Sequence, residues 1–216
     1  MKSWNLWLKA GDRNTAYFHK QAQARKCFNI ISEVKKEGDI HKDFEHIKRA
    51  AFTHFQNLYS EDKDPSHYLE LLVNIPSVIS QRSNEFLEAK VTKEEVKKAL
   101  VDMDPDKATG SDGFSTRFLQ ACWLIIEKDL LKMVQKSQNI QKIGGSTNFA
   151  FLALIPKEKG ANNFNRFWPI SLCNTGYKLI TKVIANRLKF ILPKIIPENQ
   201  GGFIHGRKIV DNFLLV

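Results

Sequence analysis

Cysteine is scarce and carries no pattern. Cys27, Cys122 and Cys173 are odd in number and far apart, and none sits in a C-x-x-C pair or beside histidines at ligand spacing, which excludes a disulfide framework and a zinc finger or ribbon. Long apolar runs are missing too. The longest, Phe149 to Pro156, falls far short of the ~20 residues that cross a bilayer, and the opening MKSWNLWLKAGDR lacks the apolar core of a signal peptide. A soluble, unsecreted protein in a reducing compartment is expected, with no membrane partner. Acid is scarce in the last third, where residues 131–216 hold 3 acidic against 13 basic residues. Residues 1–60 carry a smaller basic excess and residues 61–130 an acidic one.

What is present is a chain of 216 residues, 43% apolar, with a formal charge of +10. That length supports one sizeable domain plus an appendage, burying about 70% of the unfolded surface. A basic end interleaved with aromatics favours a polyanion, nucleic acid before a membrane surface.

Residues 1 to about 60 read as mostly helical and basic. Trp4, Trp7, Leu8, Tyr17 and Phe18 anchor them around a polar GDRNT turn, making an arm rather than a core. The charged SEDKDPS stretch and Pro76 set a boundary near residue 62. Thr92 with Glu95 forms a capping box, and Val96, Ala99, Leu100 and Met103 recur at helical spacing, so a helix is predicted from Thr92 to about Met103. A longer one is predicted over 115–139, capped by Ser115, with Phe118, Cys122, Ile125, Leu130, Met133 and Val134 on or near one face. The apolar run to Ile155 and the later RFWPIS predict a two-stranded hairpin, with Pro169 at an edge or bulge. Asn174 or Thr175 caps a last helix to about Leu192. Its Tyr177, Ile180, Ile184, Leu188 and Ile191 face a core, and Lys178, Lys182 and Lys189 form a stripe on the other side.

Two apparent ligand loops fail their templates. Asp102, Asp104 and Asp106 alternate like a calcium loop, yet the glycine position is Lys107, the bidentate glutamate position is Gly113, and Pro105 intrudes. GGFIHGRK has Arg207 and Lys208 where a phosphate loop needs Lys and Ser or Thr. KATGSDGF, residues 107–114, places two glycines and an aspartate before the long helix. Such a turn permits unusual backbone angles and can present free amides and Lys107 to a phosphate.

Between Phe149 and Arg207 the chain reads FAFLALIPK, then NRFWPISLCNTGYKLITKVIANRLK, then ENQGGFIHGR. This ordered series resembles the fingers and first palm segment of a LINE-type non-LTR retrotransposon reverse transcriptase, an RNA-directed DNA polymerase. KATGSDGF resembles that family's Lys-Ala-Pro-Gly-Pro-Asp-Gly block, with Thr109 and Ser111 replacing the prolines, which implies a more flexible loop. WLKAGDRNTAYFHKQAQARKCFNIIS resembles the segment that joins endonuclease to polymerase. The resemblance implies an α+β, mainly helical fold: the fingers and partial palm of a right-hand polymerase with a small antiparallel hairpin. Residues 1–62 would be the linker, and 63–216 the N-terminal part of the polymerase domain.

In that family the lysine matching Lys157 and an arginine before Pro-Ile hold the incoming triphosphate. Here Trp168 replaces the arginine, and one neutral donor stands in for a guanidinium fork with five. Arg166, two residues earlier, would share a strand face with it and could partly substitute. Lys107, Gly110, Asp112, Lys178, Lys182, Lys189, Gln200 and Arg207 are the expected contacts to an RNA template or RNA/DNA hybrid. The chain ends at Val216, before the family's aspartate blocks. No catalytic or metal-ligating residue is therefore expected, and the Mg²⁺ of the intact family would have no seat. The expectation is an inactive fragment, nuclear or cytoplasmic, with a residual nucleic-acid-binding surface and a terminal IVDNFLLV run deprived of its packing partners. The alternative is a non-catalytic RNA-binding scaffold on a degenerate polymerase fold.

Overall fold

The computed structural model of the protein describes residues 16–36, 38–60, 78–204 and 206–207. It is a mixed α/β chain, about half helical, with two small antiparallel strand pairs. The described residues fall into two units: those up to 60 together with Leu152–Ile170, and those from 78 to Phe151 together with those from Ser171 to Arg207. Trp4, Trp7, Leu8, the GDRNT turn, SEDKDPS beyond its first residue Ser60, Pro76 and the IVDNFLLV run all lie outside the described residues.

In the first unit, helix α1 (Ala16–Asn29) precedes strands β1 (Val34–Lys36) and β2 (Asp39–His41), and helix α2 (Phe44–Tyr59) follows. The strands pair with Val34 opposite His41. Their turn needs Gly38, whose φ of +100° is a conformation that side chains resist. Asp43 caps α2, its carboxylate accepting from the Glu45 and His46 amides. A helical arm without a core was the expectation, and the structure corrects it. Val34, Ile47, Ala50 and Phe55 bury themselves around Phe164, which comes from more than a hundred residues later. His54 stacks on the Phe164 ring at 5.0 Å and Phe55 meets it edge-on at 5.9 Å. Three-residue strands leave almost no periodicity, and Phe164 and the partly buried Leu154 reach this core from a distant segment. Tyr17, expected as an apolar anchor, is half exposed.

In the second unit, helices α3 (Gln81–Glu88) and α4 (Lys93–Val101) are followed by α5 (Thr116–Ala121), α6 (Trp123–Ile140), α7 (Thr175–Leu188) and the short α8 (Leu192–Ile195). Helix α4 is central. Its Thr92–Glu95 capping box is fully formed, Val96, Ala99 and Leu100 are shut off from water, and it packs on α5, α6 and α7. Burying one such side chain stabilises by roughly 1.5–3 kcal/mol.

The single helix expected over 115–139 is two. Ser115 does cap the first, accepting from the Phe118 amide, but Cys122 leaves helical geometry at φ −91°, ψ 11° and starts the second. That break shifts the phase of the apolar face. Leu119, Trp123, Leu130 and Val134 are buried, whereas Phe118 and Ile125 are 45% and 82% exposed. Helix α7 is turned as well: Leu179, Ile180, Val183 and Arg187 face inward, while Ile184 is half exposed. Among the described residues no helix is long and apolar enough to cross a membrane.

Candidate nucleotide and nucleic-acid interface

The expected hairpin exists as β3 (Ala150–Pro156) paired with β4 (Phe167–Cys173). In a two-stranded sheet both strands are edges, so Pro169 forfeits no interior ladder bond. Lys157 follows β3. Its amide donates to the Arg166 carbonyl at 2.9 Å and its Nζ to the Asn165 carbonyl at 2.8 Å. The same ammonium lies 4.6 Å from the centre of the Trp168 ring, a cation–π contact worth about 0.5–1 kcal/mol at an exposed site. Trp168 is 59% exposed. Although it supplies no charge, the indole holds one in place.

Arg166 does not share a strand face with Trp168. It ends a 3₁₀ turn, Phe164–Arg166, started by Asn163, whose side chain accepts from the Asn165 amide and whose carbonyl accepts from the Arg166 amide. Strand alternation begins only at Phe167, which removes the geometric basis for substitution. The Arg166 guanidinium pairs instead with Glu158 at 2.7 Å, both groups more than half exposed. An exposed pair of this kind holds weakly. An anion arriving here meets one poised ammonium and one guanidinium already shared with a carboxylate.

In the second unit the KATGSDGF turn is tied down, contrary to the expected flexibility. Gly110 approaches the start of α7 so closely that a Cβ would lie 2.4 Å from the Asn174 amide nitrogen and 2.6 Å from its Cα. Asn174 Oδ1 accepts from Ser111 Oγ and the Asp112 amide, its Nδ2 donates to the Ser146 carbonyl, and Thr175 Oγ1 donates to the Phe114 carbonyl at 2.6 Å. The amides of Asp112, Gly113 and Phe114 are occupied within the protein. Gly113 donates to the Gly110 carbonyl, and Phe114 donates to the Asp112 carboxylate. Lys107 pairs with Asp104 at 3.8 Å on an open surface.

The lysine stripe divides. Lys178 donates to the Ala108 carbonyl at 2.6 Å, a clasp on the same turn, and Lys182 and Lys189 remain along a groove further down α7. Arg207 is a staple: its two terminal nitrogens donate to the carbonyls of Pro193, Ile196, Pro197 and Gln200 at 2.6–3.2 Å, closing the chain after α8. Gln200 itself is exposed and reaches only the Gly202 carbonyl.

Arg187 was not anticipated. It is 8% exposed, and its Nε and one terminal nitrogen grip both Glu95 oxygens at 2.7 and 2.9 Å. The other terminal nitrogen donates to the Leu87 and Ala89 carbonyls. Its guanidinium hydrogen-bonded to Glu95 holds that carboxylate below its ordinary pKa, against the opposing pull of burial. The sequence signal for it was its place seven residues, about two helical turns, beyond Ile180.

Two divalent ions ~3.5–4 Å apart, as phosphoryl transfer requires, need clustered carboxylates. Among the described residues no three His, Cys, Asp or Glu side chains converge in a way that could hold a metal, so these residues do not fit such a pair and no step is assigned through it. No protein-family model matches the chain. Over 209 residues, 95% of this chain, it is 32% identical to the "Transposon TX1 uncharacterized 149 kDa protein" of Xenopus laevis, and it spans 16% of that protein's length. Over most of its length this chain is therefore similar to one segment of a transposon protein.

Proposed function

We propose that this chain is the fingers and early palm portion of a non-LTR retrotransposon RNA-directed DNA polymerase, and that its role there is to grip the RNA template or RNA/DNA hybrid and the incoming nucleotide. The observation that carries the reading is the β3–β4 hairpin, where Lys157 is held out over Trp168 beside Arg166, in a chain similar to a transposon protein over nearly its full length. A tetra-anionic triphosphate needs this kind of cationic arm. With indole in place of the second guanidinium, its hold is weak.

Binding to single-stranded RNA and to an RNA/DNA hybrid, titrated against salt, tests the reading. Affinity is expected to fall log-linearly with salt, with a slope of about −0.7 per phosphate neutralised on single strands and about −0.9 on a B-form duplex. Undetectable or salt-independent binding overturns it. Primer extension by this chain with Mg²⁺ is expected to give no product.

A further inference from the structure

The groove beside α7 ends at a residue in an unfavourable conformation. Phe203 has φ +64°, a left-handed backbone that bulky side chains rarely adopt, and its side chain is 105% exposed. An aromatic gains nothing for the fold from either condition. Such strain persists only where the surroundings over-determine it, and it gathers at ligand-binding sites. Arg207 supplies that constraint by tying together the carbonyls of Pro193, Ile196, Pro197 and Gln200 just before the tip. Beside the ring lies a groove of about 450 Å³ lined by Lys182, Asn186, Lys189, Leu192, Phe203 and Ile204. No described residue pairs with the ammonium of Lys182 or Lys189, and Glu198 is the one acid in the sequence between Lys159 and Arg207.

We propose that the Phe203 tip is a base-stacking site for single-stranded nucleic acid, with the ring taking one base and Lys182 and Lys189 meeting the adjoining phosphates. An exposed aromatic with cations along a groove is the arrangement that binds single strands without reading sequence, because every base has a π-face. The inference rests on the nucleic-acid-binding reading above and adds to it the place and the mode.

The test compares wild type, Phe203→Ala, Phe203→Gly and Phe203→Trp for binding a short single-stranded RNA, the same strand with abasic positions, and an RNA/DNA hybrid. Loss of one stacking contact weakens single-strand binding by about 5-fold to about 150-fold, and Phe203→Trp retains it. Phe203→Gly separates binding from folding. Glycine accepts positive φ freely, so that variant loses affinity while its urea midpoint stays level or rises. Wild type prefers the intact strand to the abasic one, and Phe203→Ala does not. Lys182→Gln and Lys189→Gln each make the single-strand salt slope shallower by about 0.7.

If wild type binds RNA in a salt-dependent way and Phe203→Ala and Phe203→Gly bind equally well, the stacking site is refuted and the general reading survives. If wild type binds no RNA, the general reading falls and takes this one with it. If Phe203→Ala alters the oligomeric state and leaves RNA affinity unchanged, the groove is a self-association surface, which also overturns the proposal.

Discussion

Replacing Arg187 with Met keeps most of the apolar stem and removes the guanidinium. Four hydrogen bonds disappear, two to Glu95 and two to the Leu87 and Ala89 carbonyls. Breaking a fully buried pair by deleting one partner costs about 3–5 kcal/mol. Glu95 retains 30% exposure, so water recovers part of that, and about 2–4 kcal/mol is expected, read as a lower urea midpoint at unchanged m-value. Glu95→Gln keeps the capping box, which tolerates Gln, and should cost about 1–3 kcal/mol, because it leaves a buried guanidinium without its counter-charge. A double-mutant cycle between the two should give about 1–2 kcal/mol of interaction.

The pH dependence has a definite sign. Because the folded state holds the Glu95 carboxyl below its ordinary pKa, the pair's contribution is complete above the ordinary carboxylate range and is lost as pH falls through that range toward the depressed folded value. Wild type should therefore lose stability on acidification relative to Glu95→Gln. A loss under about 1 kcal/mol for Arg187→Met, or a cycle with no coupling, would refute the claim that this guanidinium fastens α7 to the end of α3 and the start of α4.

Gly110→Ala forces a methyl against the Asn174 backbone, where no flexible side chain can yield, and should destabilise by at least about 1–3 kcal/mol. A urea midpoint like that of wild type would contradict the packing described. Lys178→Met leaves the Ala108 carbonyl without its ammonium and should speed hydrogen exchange in residues 107–114 with little change in global stability. Trp168→Arg should tighten triphosphate binding, measured by competition against a fluorescent nucleotide; an unchanged affinity means the indole is not what limits the hairpin.

Local signals survived into the structure wherever one short segment decides the outcome. The Thr92–Glu95 box, the Ser115 cap and the β3–β4 strand pair depend on neighbouring stretches of chain, and the pattern in the sequence contained them. What failed was phase. A face drawn by assuming one unbroken helix over 115–139 put Ile125 inside, and the break at Cys122, which no proline or glycine announces, put Trp123 there instead. The lysine stripe shows the same limit, because spacing places Lys178, Lys182 and Lys189 on one side of a helix and cannot say that Lys178 is engaged by the Ala108 carbonyl.

From the sequence alone came the charge distribution, the helix starts, the hairpin and the ordered series of motifs between Phe149 and Arg207, since each is carried by residue identity and short-range spacing. Only the tertiary structure decided which cations are available and which are consumed. Arg187 and Arg207 are consumed by carbonyls and a carboxylate, from up to a hundred positions away for Arg187 and from within fourteen for Arg207. A guanidinium's partners are chosen by chain packing, which brings unsatisfied carbonyls within reach of its five donors, and no linear pattern encodes that encounter.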